Sequence, residues 1–452
     1  MIEYMGTLLN RMRPAFSRQA TFVWFVVIFV GFIVRNDTFG VSSIVRALSL
    51  DPSGYLCLVH FFHSTAWSGI TLLECWWHFL AKEPVVYRVG ERIVLVGDHT
   101  KTPKDGRRMP EVRTLHQDSE TASKPTFFRG HQWAFIALLV HARSKFFATP
   151  VWAEIHHHSL LYTSTTRIVA VAGRIAQTMG NQAYLVLDAF FAVGPVFHVA
   201  AHYTAFLHVL TRAKKNIVAY RPPFQSPKPC RGRPRLYGEK VHLMALFDLC
   251  PNKFQKATAV VYHRQETVRY LTLDLLWKPV HNTIRFFLIE SSRGRIILMS
   301  SDRSLNPLTA LSLYNHRPTI ETMFDTFKNI LGGMHYHFWS KYLTPSARRP
   351  IKNNSLKPVS AQPVKTKQTL DAIEKFNHVL LIVLGTLQLL ACHFDSQIRT
   401  SARCWLRTPC GEIPSEFVTR SAISNIFRLN LFSFGKNWIM HLILRKQNRP
   451  NY

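Results

Sequence analysis

The sequence predicts an α/β protein built on a mixed sheet, and three observations carry that expectation. Apolar runs that stop at an acid, Arg92 to Gly97 before Asp98 and Ala183 to Leu187 before Asp188, have the length and continuity of strands buried on both faces. Between them, Thr165 to Met179 repeats its apolar residues at helical spacing. Further on, 221–290 opens with Arg221-Pro222-Pro223 and then alternates apolar and polar residues in short segments, the pattern of a β-rich insertion.

Taken in order, 1–85 reads as helical. The run Phe22 to Val34 is apolar throughout, Gly40 to Ser43 opens a helix through Leu48, Asp51-Pro52-Ser53 caps another, and Ser64 to Leu80 supplies a third. Short helices with Arg35 and Arg46 fit a small DNA-binding bundle as well as a plain packing domain. Strands follow at Arg92 to Gly97 and Trp133 to His141, then the Thr165 helix, the Ala183 strand, a strand region from Phe206 to Tyr220, and Arg295 to Ser300. Within the insertion, Val241 to Phe247, Thr258 to Tyr262 and Thr267 to Leu273 are strand segments. The expected division is 86–220 with 291–342 as the α/β domain, 221–290 as the insertion, 343–368 as an exposed linker rich in Pro, Lys, Ser and Asn, and 369–452 as a helical C-terminal region.

Composition narrows the partners. The chain has 452 residues, and its 47% apolar content excludes a largely disordered protein. Lys and Arg number 56 against 26 acids, a net charge of +30, which points to a polyanion, with counterion release from DNA as the source of affinity. An anionic membrane is the rival partner. The run at Phe22 falls short of the ~18 residues of a span, so a buried helix is expected there and no membrane is expected as a partner. Seven scattered cysteines without a Cys-x-x-Cys pair fit a reducing cytosol and exclude a zinc ribbon or disulfide scaffold.

The most informative stretch is Tyr314 to Trp339, YNHRPTIETMFDTFKNILGGMHYHFW. At roughly 100° per residue, Arg317, Glu321 and Lys328 fall roughly 60°, 20° and 40° behind Tyr314, on one narrow helical face. A core stripe would fill that face with Leu and Ile. Here a carboxylate suited to a metal is bracketed by two cations and a phenol suited to phosphate.

That spacing (Tyr, two residues, Arg, three residues, Glu, six residues, Lys), with the Gly332-Gly333 stop and Tyr336, His337, Phe338 and Trp339 after it, resembles the signature of bacterial insertion-sequence DDE transposases of the Tyr-Arg-Glu-Lys type. The segments GDHTKTPKDGRRMPEVRTLHQ and AYLVLDAFFAVGPVF resemble the family's first and second catalytic strands. The resemblance covers about Arg18 to Phe434. It implies a ribonuclease-H-like mixed sheet with flanking helices, interrupted by the insertion, on which Asp98, Asp188 and Glu321 are the catalytic acids. They would hold two Mg²⁺ ions, with Mn²⁺ as a substitute, and Asp302 is the reserve ligand. Tyr314, Arg317 and Lys328 would hold phosphates of double-stranded DNA, at transposon terminal repeats and at the target. The resemblance further implies a homodimer in a synaptic complex and a bacterial cytoplasm, nucleoid-associated location. The rival expectations are an inactive DNA-binding relative, a metal-dependent endonuclease without strand transfer, and a basic membrane protein.

Four features need separate weighing. Arg231, Arg233 and Arg235 in RGRPR resemble a minor-groove hook core, and DNA contact is expected of them; the bland alternative is a basic turn. Trp277 is in position to stack on a base, but a core role is expected. His156-His157-His158 lacks ligand spacing and is expected at the surface or facing DNA. Cys404 and Cys410 suggest no chemistry.

Overall fold

The computed structural model describes residues 1–117, 126–157, 161–224, 235–262, 264–346, 360–403, 411–430 and 437–447. Contacts divide the chain into two compact units, one of Met1–Val86, His99–His158 and Glu321–Tyr452, the other of Tyr87–Asp98 and Ser159–Ile320. Cys404, Cys410, Arg231, Arg233, His158 and half of the expected linker lie outside the described residues.

The first unit is helical at its N-terminus, as expected: Ile2–Met12, Gln19–Val34, Ser42–Ala47, Gly54–His63 and Gly69–Leu80. Gln19–Val34 has no polar face and is accordingly buried nearly end to end. Its last turn meets Arg35, whose guanidinium is 1% exposed, packs 4.6 Å from the Phe32 ring and donates to Ser43 Oγ and to the Leu331 carbonyl. Burial, with Arg420 beside it, lowers this guanidinium to about 9. Arg46 is paired with Asp37 at 2.9 Å. Arg35 is therefore not an open contact for DNA, whereas Arg46 stays exposed at the surface.

The core of this unit is the helix Pro363–His393 against the strand Lys145–Ile155. The helix begins inside the segment expected as linker, because Pro363 sits in its first turn, where a missing N–H costs nothing. It is long and apolar enough to cross a membrane, yet 89% of its apolar window is buried within the protein. Its polar side chains bind protein backbone: Asn377 Oδ1 accepts from Met334 N (3.0 Å), His378 Nε2 bonds Ala153 O (2.8 Å), and Gln388 Nε2 donates to Ala148 O (3.2 Å). Lys145–Ile155 pairs antiparallel with Phe127–Ala142, and Pro150 interrupts the ladder, so the register shifts between Ile136 and Ala137. Carbonyls at that irregularity are satisfied by indoles, Trp76 Nε1 to Pro150 O at 3.1 Å and Trp77 Nε1 to Val151 O at 2.7 Å.

The second unit carries the parallel strands. Gln182–Leu187 pairs parallel with the first half of the strand Arg92–Pro103, and Leu207–Arg212 pairs parallel with Gln182–Leu187. The helix Ser164–Met179, started by a Thr163 capping box and ended by Gly180 at φ +65°, leads directly into Gln182–Leu187. Gly97 is required where Ile168 and Leu187 press on the strand, since a Cβ there would lie 2.8 Å from Leu187. Beyond Leu207–Arg212 the sheet turns antiparallel through Gly294–Ser300, Asn282–Ser291, Arg264–Trp277 and Gln255–Val261. The block read as an insertion thus contributes strands to this sheet. One of its expected strands, Val241 to Phe247, is mostly helical turns, Leu243–Ala245 and Leu246–Leu249, because only Lys240–His242 finds a pairing edge. Trp277 is 5% exposed and meets Phe197 edge to face at 5.4 Å, the core role expected of it.

Candidate active site

The parallel register decides which acids meet. Val96 lies opposite Val186, and carried two residues further the same register sets Asp98 beside Asp188. Asp98 is not at a strand end as the apolar run implied. The strand continues to Pro103, the residues after Gly97 being only half-buried. Asp188 does end its strand, and it caps the turn Ala189–Phe191, with Oδ1 accepting from Phe190 N at 3.1 Å. Thr211 Oγ1 donates to Asp188 O at 2.5 Å and fixes the backbone there.

Arg317 joins the two acids. Its Nη2 lies 2.7 Å from Asp98 Oδ2 and 3.8 Å from Asp188 Oδ2, so the two carboxylate oxygens are no further apart than those distances together allow. The Arg317 and Asp98 side chains are each 16% exposed, and at that depth a charge-assisted hydrogen bond is stronger than at the surface. Arg317 was expected to face DNA phosphate; the structure turns it onto the carboxylates.

The reason is a break in the signature helix. Pro318 has no N–H and disfavours helical backbone at Arg317. The helix Pro307–Asn315 therefore ends, Arg317 N bonds Tyr314 O at 3.0 Å in a tight turn, and a new helix starts at Thr319–Asp325. After Asp325 the backbone widens to a π turn, Thr326–Ile330. Tyr314, Arg317, Glu321 and Lys328 hence do not share the one continuous helical face that 3.6-residue spacing predicts.

Each of the remaining residues has its own setting. Tyr314 is half-buried, and burial raises its phenol above the usual range, partly offset by Arg212 and Arg317. Glu321 is exposed, in the first turn of Thr319–Asp325. Lys328 Nζ donates to Thr100 Oγ1 and to Lys101 O, and burial lowers its ammonium below the ordinary lysine range. Asp302 is excluded as the reserve ligand. It is 4% exposed, accepts from Tyr184 Oη (2.7 Å) and Ser304 Oγ (2.6 Å), and lies 3.5 Å from Arg92. Burial alone would raise its carboxyl, but the Ser304 and Tyr184 hydrogen bonds hold it below the usual carboxylate range. Arg235 is exposed, and so is His157, while His156 is half-buried.

Thr100 and Thr211 escaped the sequence reading. Thr100 was findable: it stands two residues beyond Asp98 and so on the same face of an alternating strand. Nothing in the sequence marks Thr211, whose role depends on strand pairing. Among the described residues no three His, Cys, Asp or Glu side chains group closely enough to hold a metal ion. What fits a cation is the pair Asp98 and Asp188, hard oxygen donors already converged on one positive group.

No family model matches the chain, and no curated protein matches it in sequence. Among solved structures it is similar to a piggyBac transposase in a synaptic complex with hairpin DNA, at 12% identity and a TM-score of 0.33, over 96% of this chain and 77% of that one.

Proposed function

We propose that this chain is a DDE-type DNA transposase with a ribonuclease-H-like core, of the Tyr-Arg-Glu-Lys insertion-sequence type. The observation that carries the reading is Arg317 bridging Asp98 and Asp188, three residues from separate segments that the sequence resemblance singles out. The parallel pairing of Arg92–Pro103, Gln182–Leu187 and Leu207–Arg212 supports the core assignment.

In this proposal Asp98, Asp188 and Glu321 hold two Mg²⁺, which when bound activate a nucleophilic oxygen and stabilise the leaving one. The protein's own groups do the positioning. Arg317 holds both aspartates aimed at one point, its positive charge offsetting their repulsion. Tyr314, its phenol kept protonated by burial, donates to a phosphate oxygen. Lys328 ties the signature segment to the strand bearing Asp98 through Thr100. Water attacks the phosphodiester, its oxygen bonding to phosphorus while the bond to O3′ breaks and O3′ takes a proton. The 3′-hydroxyl so released attacks a target phosphodiester and displaces that strand's own O3′. Double-stranded terminal repeats and target DNA are the proposed substrates, a homodimer the proposed assembly, and the bacterial cytoplasm the proposed location.

A second reading, a DNA-binding relative that does not cleave, draws on the lack of a three-ligand metal group among the described residues. One experiment separates the two. Linear DNA bearing the sequences that flank the gene is incubated with Mg²⁺ and the natural chain, Asp188→Ala or Glu321→Ala, with end binding checked for each. Cleavage by the natural chain alone supports the transposase. Binding without cleavage under Mg²⁺ or Mn²⁺ establishes the second reading.

A further inference from the structure

The first unit contains an open pocket of about 530 Å³ that the site above does not use, walled by Lys104, Arg107, Arg108, His337, Trp339 and Pro345. Two segments form it, and backbone bonds hold them together: Ser340 N donates to Arg108 O (2.9 Å) and Ser346 N to Arg107 O (2.8 Å). Lys104 is anchored beneath, its ammonium 3.9 Å from the Tyr336 ring and donating to Met334 O. The concavity is thus preformed, and its volume is within the range that takes a small organic ligand.

Its lining specifies which one. Arg107 donates through Nε to Ser346 O and Arg108 through Nη1 to Lys341 O. Each guanidinium has five donors, and these bonds engage one of each, which leaves the others for an anion. Three cations stand against one lining carboxylate, Asp105. Trp339 is 62% exposed, a large flat ring left in water at the rim. An aromatic face beside two guanidiniums matches a planar base joined to a phosphate.

We propose that this pocket binds one unpaired nucleotide of single-stranded DNA, with its base stacked on Trp339 and its phosphate held by Arg107 and Arg108. The proposal rests on the DNA-binding part of the function given above and not on its metal chemistry. A lone nucleotide would satisfy the same groups, but it lacks the neighbouring phosphates that a chain of this charge attracts.

The test uses the full chain in EDTA, with anisotropy of a fluorescein-labelled short oligothymidylate. Trp339→Ala is expected to weaken binding about tenfold and Trp339→Phe much less, since the stack needs only an aromatic face. Arg107→Gln with Arg108→Gln is expected to weaken binding and flatten its salt dependence. If Trp339→Ala keeps the natural melting curve and binds as tightly as the natural chain, the proposal is wrong. It is equally overturned if thymidine monophosphate competes at the oligonucleotide's own affinity. Photocrosslinking of an iododeoxyuridine oligonucleotide to the natural chain covers the case of a misfolded variant: a crosslink on the peptide with Trp339 supports the pocket, and one elsewhere refutes it. Because no metal is present, failure here leaves Mg²⁺-dependent cleavage as a separate question.

Discussion

Arg317 donates to Asp98 across 2.7 Å while the same nitrogen lies 3.8 Å from Asp188, so one guanidinium bridges two carboxylates. Removing it leaves two half-buried carboxylates facing each other. Arg317→Gln is expected to lower stability by about 2–3 kcal/mol without divalent ions. Mg²⁺ would take the place of the lost cation. A melting series with and without Mg²⁺ should therefore show a larger metal-induced rise for Arg317→Gln than for the natural chain. Equal rises would mean that the aspartate pair does not take the ion.

What the sequence made legible follows from where the information lies. The strand Gln182–Leu187 and the helix Ser164–Met179 were readable because their periodicity is local and uninterrupted. Asp98 and Asp188 could be picked out by resemblance, but their adjacency is a matter of parallel register, which no local pattern records. The signature spacing was read as one helix, and there Pro318 was the overlooked signal. The pairing of Arg317 with acids far away in the chain is a tertiary choice. Likewise, Val241 to Phe247 alternates like a strand but lacks an edge to pair with beyond His242.

Acid sensitivity should trace to His131. Its Nε2 bonds Pro110 O at 2.8 Å, which makes that nitrogen the donor, so Nδ1 accepts from Tyr336 Oη at 2.6 Å, and Tyr336 Oη accepts from Trp133 Nε1 at 3.2 Å. Burial lowers the imidazole to about 3. The unfolded chain takes a proton near 6.5 and the folded one does not, so the unfolded state binds more protons between those values and stability falls as pH drops through that window. The loss is about 2 kcal/mol between pH 7 and pH 5. His131→Gln, which can donate and accept in the same places, should be less sensitive over that range in urea unfolding. Parallel pH profiles would exclude this histidine as the cause.

Gly332 is expected to be irreplaceable for stability. Its φ is +68°, and a Cβ there would meet Thr38 at 2.4 Å, next to the Arg35 guanidinium. Gly332→Ala combines left-handed strain with a clash in a packed site, at a cost of about 2–4 kcal/mol. The apparent melting temperature should drop by several degrees, and Arg35, displaced from the Leu331 carbonyl, becomes a buried cation short of one partner. An unchanged melting temperature would show that the turn relaxes freely.

Pro318 separates the two halves of the signature, and its replacement tests whether that break serves the site or merely occurs there. In Pro318→Ala the new N–H can bond Tyr314 O, the acceptor that Arg317 N now uses at 3.0 Å, and the helix from Pro307–Asn315 can run on. A continuous helix would move Arg317 back toward the face that 3.6-residue spacing assigns it, away from Asp98. Local stability should change little, because the gained helical bond offsets the ~0.4–1 kcal/mol that proline contributes by restricting the unfolded chain. Activity should not survive in proportion: cleavage of DNA ends is expected to fall at least about tenfold at near-constant melting temperature, the loss that a small misplacement of a positioning group can bring. Full cleavage by Pro318→Ala would show that the Arg317 bridge between Asp98 and Asp188 is not needed for the chemistry, and the proposed role of that guanidinium would have to be given up.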